Sequence, residues 1–94
     1  MNKKYSDFME RKAILNEVLD KPLSFNMTRH MVEFILSRMS KLEYIIDSKI
    51  ERGKDYSPEE YELHHAEFIL GITDEKPDIR DYKFYEEMLS KKVV

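Results

Sequence analysis

Residues 26–52 set the terms on which this chain can fold. Val32, Ile35, Met39, Leu42 and Ile46 recur in alternating steps of three and four, the packing seam of a long amphipathic helix. Leu36 and Ile50 widen the seam on one side, and Met31, Phe34 and Ile45 widen it on the other. The apolar arc then spans roughly half the circumference, more than one neighbouring helix can cover. This helix therefore belongs at the centre of the fold, or touches a partner as well. Gly53 follows it and supplies the left-handed residue that closes a helix.

The rest of the chain reads as three shorter helices. The 94 residues hold two glycines and three prolines, placed where helices start or stop. No internal repeat, low-complexity segment or strand-like alternation interrupts them. A first helix is predicted over about 7–20, opened by an Asp7/Glu10 capping pattern and broken at Lys21-Pro22-Leu23. Its apolar face is Phe8, Leu15, Val18 and Leu19, with Arg11 and Lys12 close by.

A third helix, about 58–70, opens on Ser57-Pro58-Glu59-Glu60. The Ser57 hydroxyl is predicted to accept from the first backbone amides, Pro58 sits where no amide hydrogen is needed, and both glutamates favour the positive end of the dipole. Glu60 is placed to complete a capping box. Gly71 closes this helix, and Ile72 can pack back on it. The helix carries two apolar stripes, Tyr61/His65/Phe68/Ile69 and Leu63/Ala66/Leu70, so it should be sandwiched between neighbours. A fourth helix, about 79–91, follows an Asp78 cap. Its stripe is Tyr82, Tyr85, Met88 and Leu89, with Ile79 and Phe84 at the flanks. Lys91 and Lys92 suit its negative end, and the residues beyond should fray. The expected fold is all-α and a single domain: a small four-helix assembly, either a bundle or a helical hairpin with flanking helices, centred on the long second helix.

Charge and composition narrow the classes of function. Hydrophobic residues make up 41% of the chain and charged residues 37%, which fits helices with densely charged outer faces. The net charge is −3 with acids and bases interleaved, unlike a basic nucleic-acid footprint. The absence of cysteine leaves no disulfide, no thiolate zinc site and no cysteine nucleophile. Apolar runs fall far short of a membrane span, and the opening MNKKYSDFMERK lacks the apolar stretch of a secretory signal. A cytoplasmic protein without membrane contact is expected. Lys, Glu and Ile richness without Trp or Cys suits a low-GC bacterium or its phage. Six Met, six Tyr and five Phe describe an adaptable core or an adaptable binding face.

The candidate chemistry gathers in SPEEYELHHAEFILG, residues 57–71. Glu62 and His65 form one E-x-x-H pair on one helix face, but di-iron bundles need that pair twice with carboxylates from two more helices. His64 and His65 point about 100° apart and cannot share a zinc ion with one carboxylate. His65 reads instead as a core or interface histidine. Catalysis by paired carboxylates requires a partly dry concave site, for which four short helices leave little room. Phosphate loops and nucleophile elbows are missing from the sequence. No catalytic, cofactor-binding or metal-ligating residue is assigned. The segment Asn26–Arg38 places Thr28, Arg29, His30 and Arg38 on or near a polar face, but Glu33 lies among them and no helix-turn leads in, so a DNA-binding helix is disfavoured.

The stretch from Leu42 to Leu70, a long helix, a glycine turn and a second capped helix, resembles the small two-helix aspartyl-phosphate phosphatases of the sporulation phosphorelay. That family carries Ser-Gln-Glu-Leu-Asp on its second helix, where this chain has Leu63-His64-His65-Ala66-Glu67. The serine is missing and the final acid is a glutamate. The resemblance implies a helical hairpin and dephosphorylation of a response-regulator aspartate, and no catalytic residue carries over.

The remaining reading is partner binding. Phe34, Tyr44, Ile45 and Phe84 lie off the main seams and form the candidate protein-interaction surface. They point to a small non-enzymatic regulator or adaptor that docks on another protein, or on a second copy of itself as a homodimer.

Overall fold

The computed structural model describes residues 4–21 and 27–92, with the backbone alone of Lys92. Pro22, Leu23 and Asn26, which figured in the helix boundaries above, lie outside the described residues, as do Val93 and Val94, where fraying was expected. The order is α1 (Phe8–Asp20), α2 (Arg29–Glu51), α3 (Ser57–Ile69), a 3-10 turn (Ile79–Asp81) and α4 (Lys83–Lys92). Among the described residues there is no strand.

The helices pack in a row rather than a ring. Helix α1 packs on α2, α2 on α3, and α3 on α4. The molecule measures 46 × 29 × 20 Å with a radius of gyration of 14.8 Å, above the roughly 12 Å of a compact domain of this length. Of the two expected arrangements, it is the helical hairpin with flanking helices, centred on α2.

The apolar arc of α2 is covered on its core side by α1 and α3, while Met31, Phe34 and Ile50, also members of that arc, remain exposed. Val32, Leu36, Met39, Leu42 and Ile46 are essentially without solvent contact, joined by Leu63 of α3, by Leu70 just after it, and by Ile14, Leu15 and Val18 from α1. Burying each large aliphatic side chain contributes about 1.5–3 kcal/mol. The seam's centre line differs from the expected one. Ile35 is only partly buried, while Leu36 and Glu43 are buried, so the stripe shifts toward the line 32-36-39-43-46 while keeping Leu42. Both lines have steps of three and four, and the side on which α1 packs decides between them. On α1, Ile14 is buried with Leu15 and Val18, whereas Phe8, expected on the apolar face, is 65% exposed.

The helix ends follow the glycines. Gly53 and Gly71 have φ of +66° and +73°. After α2, the Gly53 amide donates to the Ile50 carbonyl and the Lys54 amide to the Lys49 carbonyl. After α3, Gly71 donates to Phe68 and Ile72 to Glu67. Both are Schellman motifs, and Ile72 packs back on the core.

Two N-termini depart from expectation. Asp7 caps α1 as predicted, its Oδ1 accepting from the amides of Met9 and Glu10. At α3 the cap is not the Ser57 hydroxyl. The Asp55 carboxylate accepts both the Ser57 amide and the Ser57 hydroxyl, each at 3.0 Å. A carboxylate is the stronger acceptor, and Ser57 Oγ is left to accept from the Phe84 amide of α4, also at 3.0 Å. The fourth helix is not continuous over 79–91. Asp78 caps only the 3-10 turn, Tyr82 is extended at φ −108° and ψ 138°, and α4 starts at Lys83. That extended step carries the Tyr82 ring to α3.

Candidate functional site

Helix α3 carries two histidines and four glutamates. The fold engages almost all of them within the chain. Glu59 accepts from Lys49 Nζ at 2.6 Å. Glu62 accepts from Arg38 Nε at 2.6 Å and Nη2 at 3.0 Å, a bidentate pair. That hydrogen bonding holds the Glu62 carboxyl below the usual carboxylate range. The E-x-x-H pair is thereby divided, because His65 stacks on Tyr61 at 5.8 Å. His64 Nδ1 shares a 2.7 Å hydrogen bond with Tyr82 Oη. Tyr61 also meets Tyr82 edge-on at 5.2 Å and Phe84 at 5.9 Å. This aromatic cluster, centred on Tyr61, joins α4 to α3, and such ring pairs contribute about 0.5–1.5 kcal/mol beyond their area.

The fourth acid of α3 belongs to a node that sequence reasoning missed. Tyr5, in the turn before α1, is only 2% exposed. Its amide donates to Glu43 Oε1 at 2.8 Å, and its hydroxyl donates to Glu67 Oε2 at 2.5 Å. Ser6 Oγ donates to Glu43 Oε1 at 3.0 Å, and Arg11 Nη1 donates to the Tyr5 carbonyl. One side chain thus ties the turn to α2 and α3 together. Burial, reinforced by the Glu67 hydrogen bond and then by the charges of Glu67 and Glu43, pushes the Tyr5 phenol far up. The signal for this node was an acid, Glu43, within an apolar stripe. A buried carboxylate demands donors, and in this chain an amide and a hydroxyl supply them.

An open cleft of about 570 Å3 lies beside the node, lined by Lys4, His64, Glu67, Asp78, Asp81 and Tyr82 among others. Burial, then the charges of Glu60 and Asp81, raise the Tyr82 phenol, so it stays protonated at neutral pH. Arg80 pulls the Asp78 carboxyl down to about 2 through its hydrogen bonds. Of the cleft's titratable side chains, Glu67 and His64 already bond Tyr5 and Tyr82 respectively. Among the described residues no group of three or more metal-ligating side chains is arranged to hold an ion, and no helix is long and apolar enough to cross a membrane.

The four candidate interaction residues do not form one patch. Phe34 and Tyr44 are both 72% exposed on α2. Ile45 is half-buried beside Tyr44, where Ser6, Ser40, Lys41, Tyr44 and Ile45 line a shallow hollow. Phe34 and Ile45 share one line of α2, three turns apart, at about 16 Å. Phe84 is elsewhere, half-buried against Tyr61 with its amide bonded to Ser57, so its ring serves the α3–α4 contact. Phe8 and Met9 of α1 are further exposed apolar side chains that the sequence reading did not select. Phe8 lines a groove between α1 and α2 with Leu15, Leu36, Arg11 and Arg29.

Compared with known proteins, the chain matches no family model, no curated protein and no solved structure.

Proposed function

We propose that this protein is a small non-enzymatic regulator or adaptor that works inside the cell by docking on another protein. The observation that carries this reading is a division of labour between two helices. On α3, the side chains that could do chemistry (Glu59, Glu62, His64 and Glu67) are each bonded within the chain. On α2, Phe34 and Tyr44 stand largely in solvent. Large aromatic side chains displayed on a helix that is otherwise the core of the fold favour a contact surface over a reactive one.

The reading as an aspartyl-phosphate phosphatase requires Glu67 to face a phosphoaspartate, and in this chain its carboxylate accepts the Tyr5 hydroxyl. That engagement favours the docking reading. The test is affinity capture from a lysate of the source organism, with crosslinking, using the wild type and Phe34→Asp. The expected result is one stoichiometric protein partner, lost in the variant while the circular dichroism spectrum is unchanged. Capture of other copies of the chain alone would replace docking by self-association, and accelerated loss of phosphate from a response regulator would replace it by catalysis.

A further inference from the structure

The occupant of the outer face of α2 can be specified further, on the reading that this protein docks. The buried residues of α2 (Val32, Leu36, Met39, Leu42, Glu43 and Ile46) define one direction around the helix. Within about 60° of the opposite direction lie His30, Phe34, Ser37, Lys41, Tyr44, Ile45 and Ser48, with no acid inside that arc. Arg52 continues the same line at the helix end. The nearest acids, Glu33 and Glu51, sit at one edge, and Glu33 is already paired with Arg29 at 3.0 Å. At the other edge Arg38 is paired with Glu62. In a chain of net charge −3, this face is cationic and apolar together.

We propose that the outer face of α2 binds an acidic amphipathic helix of a partner protein. Phe34 and Ile45 lie about three turns apart on one line, the spacing at which a second helix laid alongside places successive apolar anchors. The hollow lined by Ser6, Ser40, Lys41, Tyr44 and Ile45 receives one such anchor. Lys41 and Arg52 pair with the partner's carboxylates at the rim, which sets orientation and salt dependence more than affinity. A second copy of this chain presenting the same face would bring Lys41 and Arg52 against their own like charges. A nucleic acid would meet few cations on a protein that repels it as a whole.

The test uses the full chain, labelled with 15N, and three probes. These are a synthetic helical peptide with Leu anchors on one face and Glu flanking them, the same peptide with Lys in place of Glu, and a duplex DNA oligonucleotide. The acidic peptide should shift amide resonances at Phe34, Lys41, Tyr44 and Ile45, with binding weakened by salt and weakened about tenfold in Lys41→Glu. The Lys41 side chain is exposed, so that variant folds even if Phe34→Asp does not. Equal binding of the Lys peptide, shifts mapping elsewhere, absence of shifts, or stronger binding of the DNA would each overturn the inference. If a lysate partner is captured equally well by wild type and Lys41→Glu, docking stands and the acidic-helix assignment falls.

Discussion

Removing one oxygen from Tyr5 tests whether the buried node holds the fold together. In Tyr5→Phe the ring stays in place and the amide bond to Glu43 survives, but the hydroxyl bond to Glu67 is lost. A hydrogen bond to a charged group contributes about 1.5–3 kcal/mol. Glu67 is only half-buried and can recruit water once its partner is gone, so the low end applies, about 1.5 kcal/mol. For a domain of this size, that lowers Tm by roughly 6–12 °C. Tyr5→Ala also removes a ring that is 2% exposed, adding about 3–5 kcal/mol for an aromatic truncation. Since the whole fold is worth about 5–14 kcal/mol at this length, the alanine variant sits near the edge of unfolding. Urea titration followed at 222 nm gives both values. A second readout is the tyrosinate absorbance at 295 nm. The folded-state pKa of Tyr5 lies above its unfolded value of about 10. The folded state therefore keeps a proton that the unfolded state releases, and this stability is present below pH 10 and lost as pH rises above it. The wild type should show a delayed tyrosine titration coincident with alkaline unfolding, and Tyr5→Phe should show that titration reduced. A Tyr5→Phe midpoint equal to the wild type, or an alanine variant no worse than the phenylalanine one, would refute the reasoning.

Two further perturbations separate the local devices. Ser57→Ala removes the acceptor for the Phe84 amide while Asp55 keeps its bond to the residue-57 amide, so α4 should fray and α3 hold. The cost should be about 0.5–2 kcal/mol, visible as amide exchange gained in residues 83–87 alone. The Arg38–Glu62 pair is half-exposed and should contribute only about 0.2–1 kcal/mol, so Arg38→Ala should lower the urea midpoint slightly at low salt and not at all at high salt. Because the folded pKa of Glu62 is depressed, that contribution is present above about pH 4.3 and is lost as pH falls through the depressed value.

What the sequence disclosed, and what it hid, divides by the range of the interaction. The central place of α2 follows from its own periodicity, and both Schellman ends follow from a glycine and its immediate neighbours. These are local facts, written within a few residues. Glu43 and Tyr5 meet across 38 positions, and a helical wheel can only register the acid as an exception in the stripe. The Ser57 cap failed as an expectation because the Ser57 hydroxyl donates to Asp55 and accepts from the amide of Phe84, 27 positions away. The fourth helix was drawn too long for a related reason: the tyrosine that breaks it is held extended while its ring and hydroxyl meet Tyr61 and His64 on α3. Of the candidate interaction residues, Phe34 and Tyr44 could be selected from α2's own pattern. Phe84 could not be judged without knowing that Tyr61 stands 5.9 Å away.

The same division explains why the proposed docking surface can be separated from the fold. Helix α3 bonds in three directions: to α2 through Glu59 and Glu62, to the turn before α1 through Glu67, and to Tyr82 through His64. Substitutions there disturb packing whatever their effect on a partner, and a loss of function on α3 would carry little information about contact. The outer face of α2 has the opposite character. Its core-facing residues fix the helix, while Phe34, Lys41 and Tyr44 stand exposed on the other side. A helix held so firmly by one face loses little further backbone entropy when the other face is bound. On the proposed docking reading, the backbone that carries Phe34 and Tyr44 is fixed before a partner arrives, and one helix of a 94-residue chain serves both core and contact.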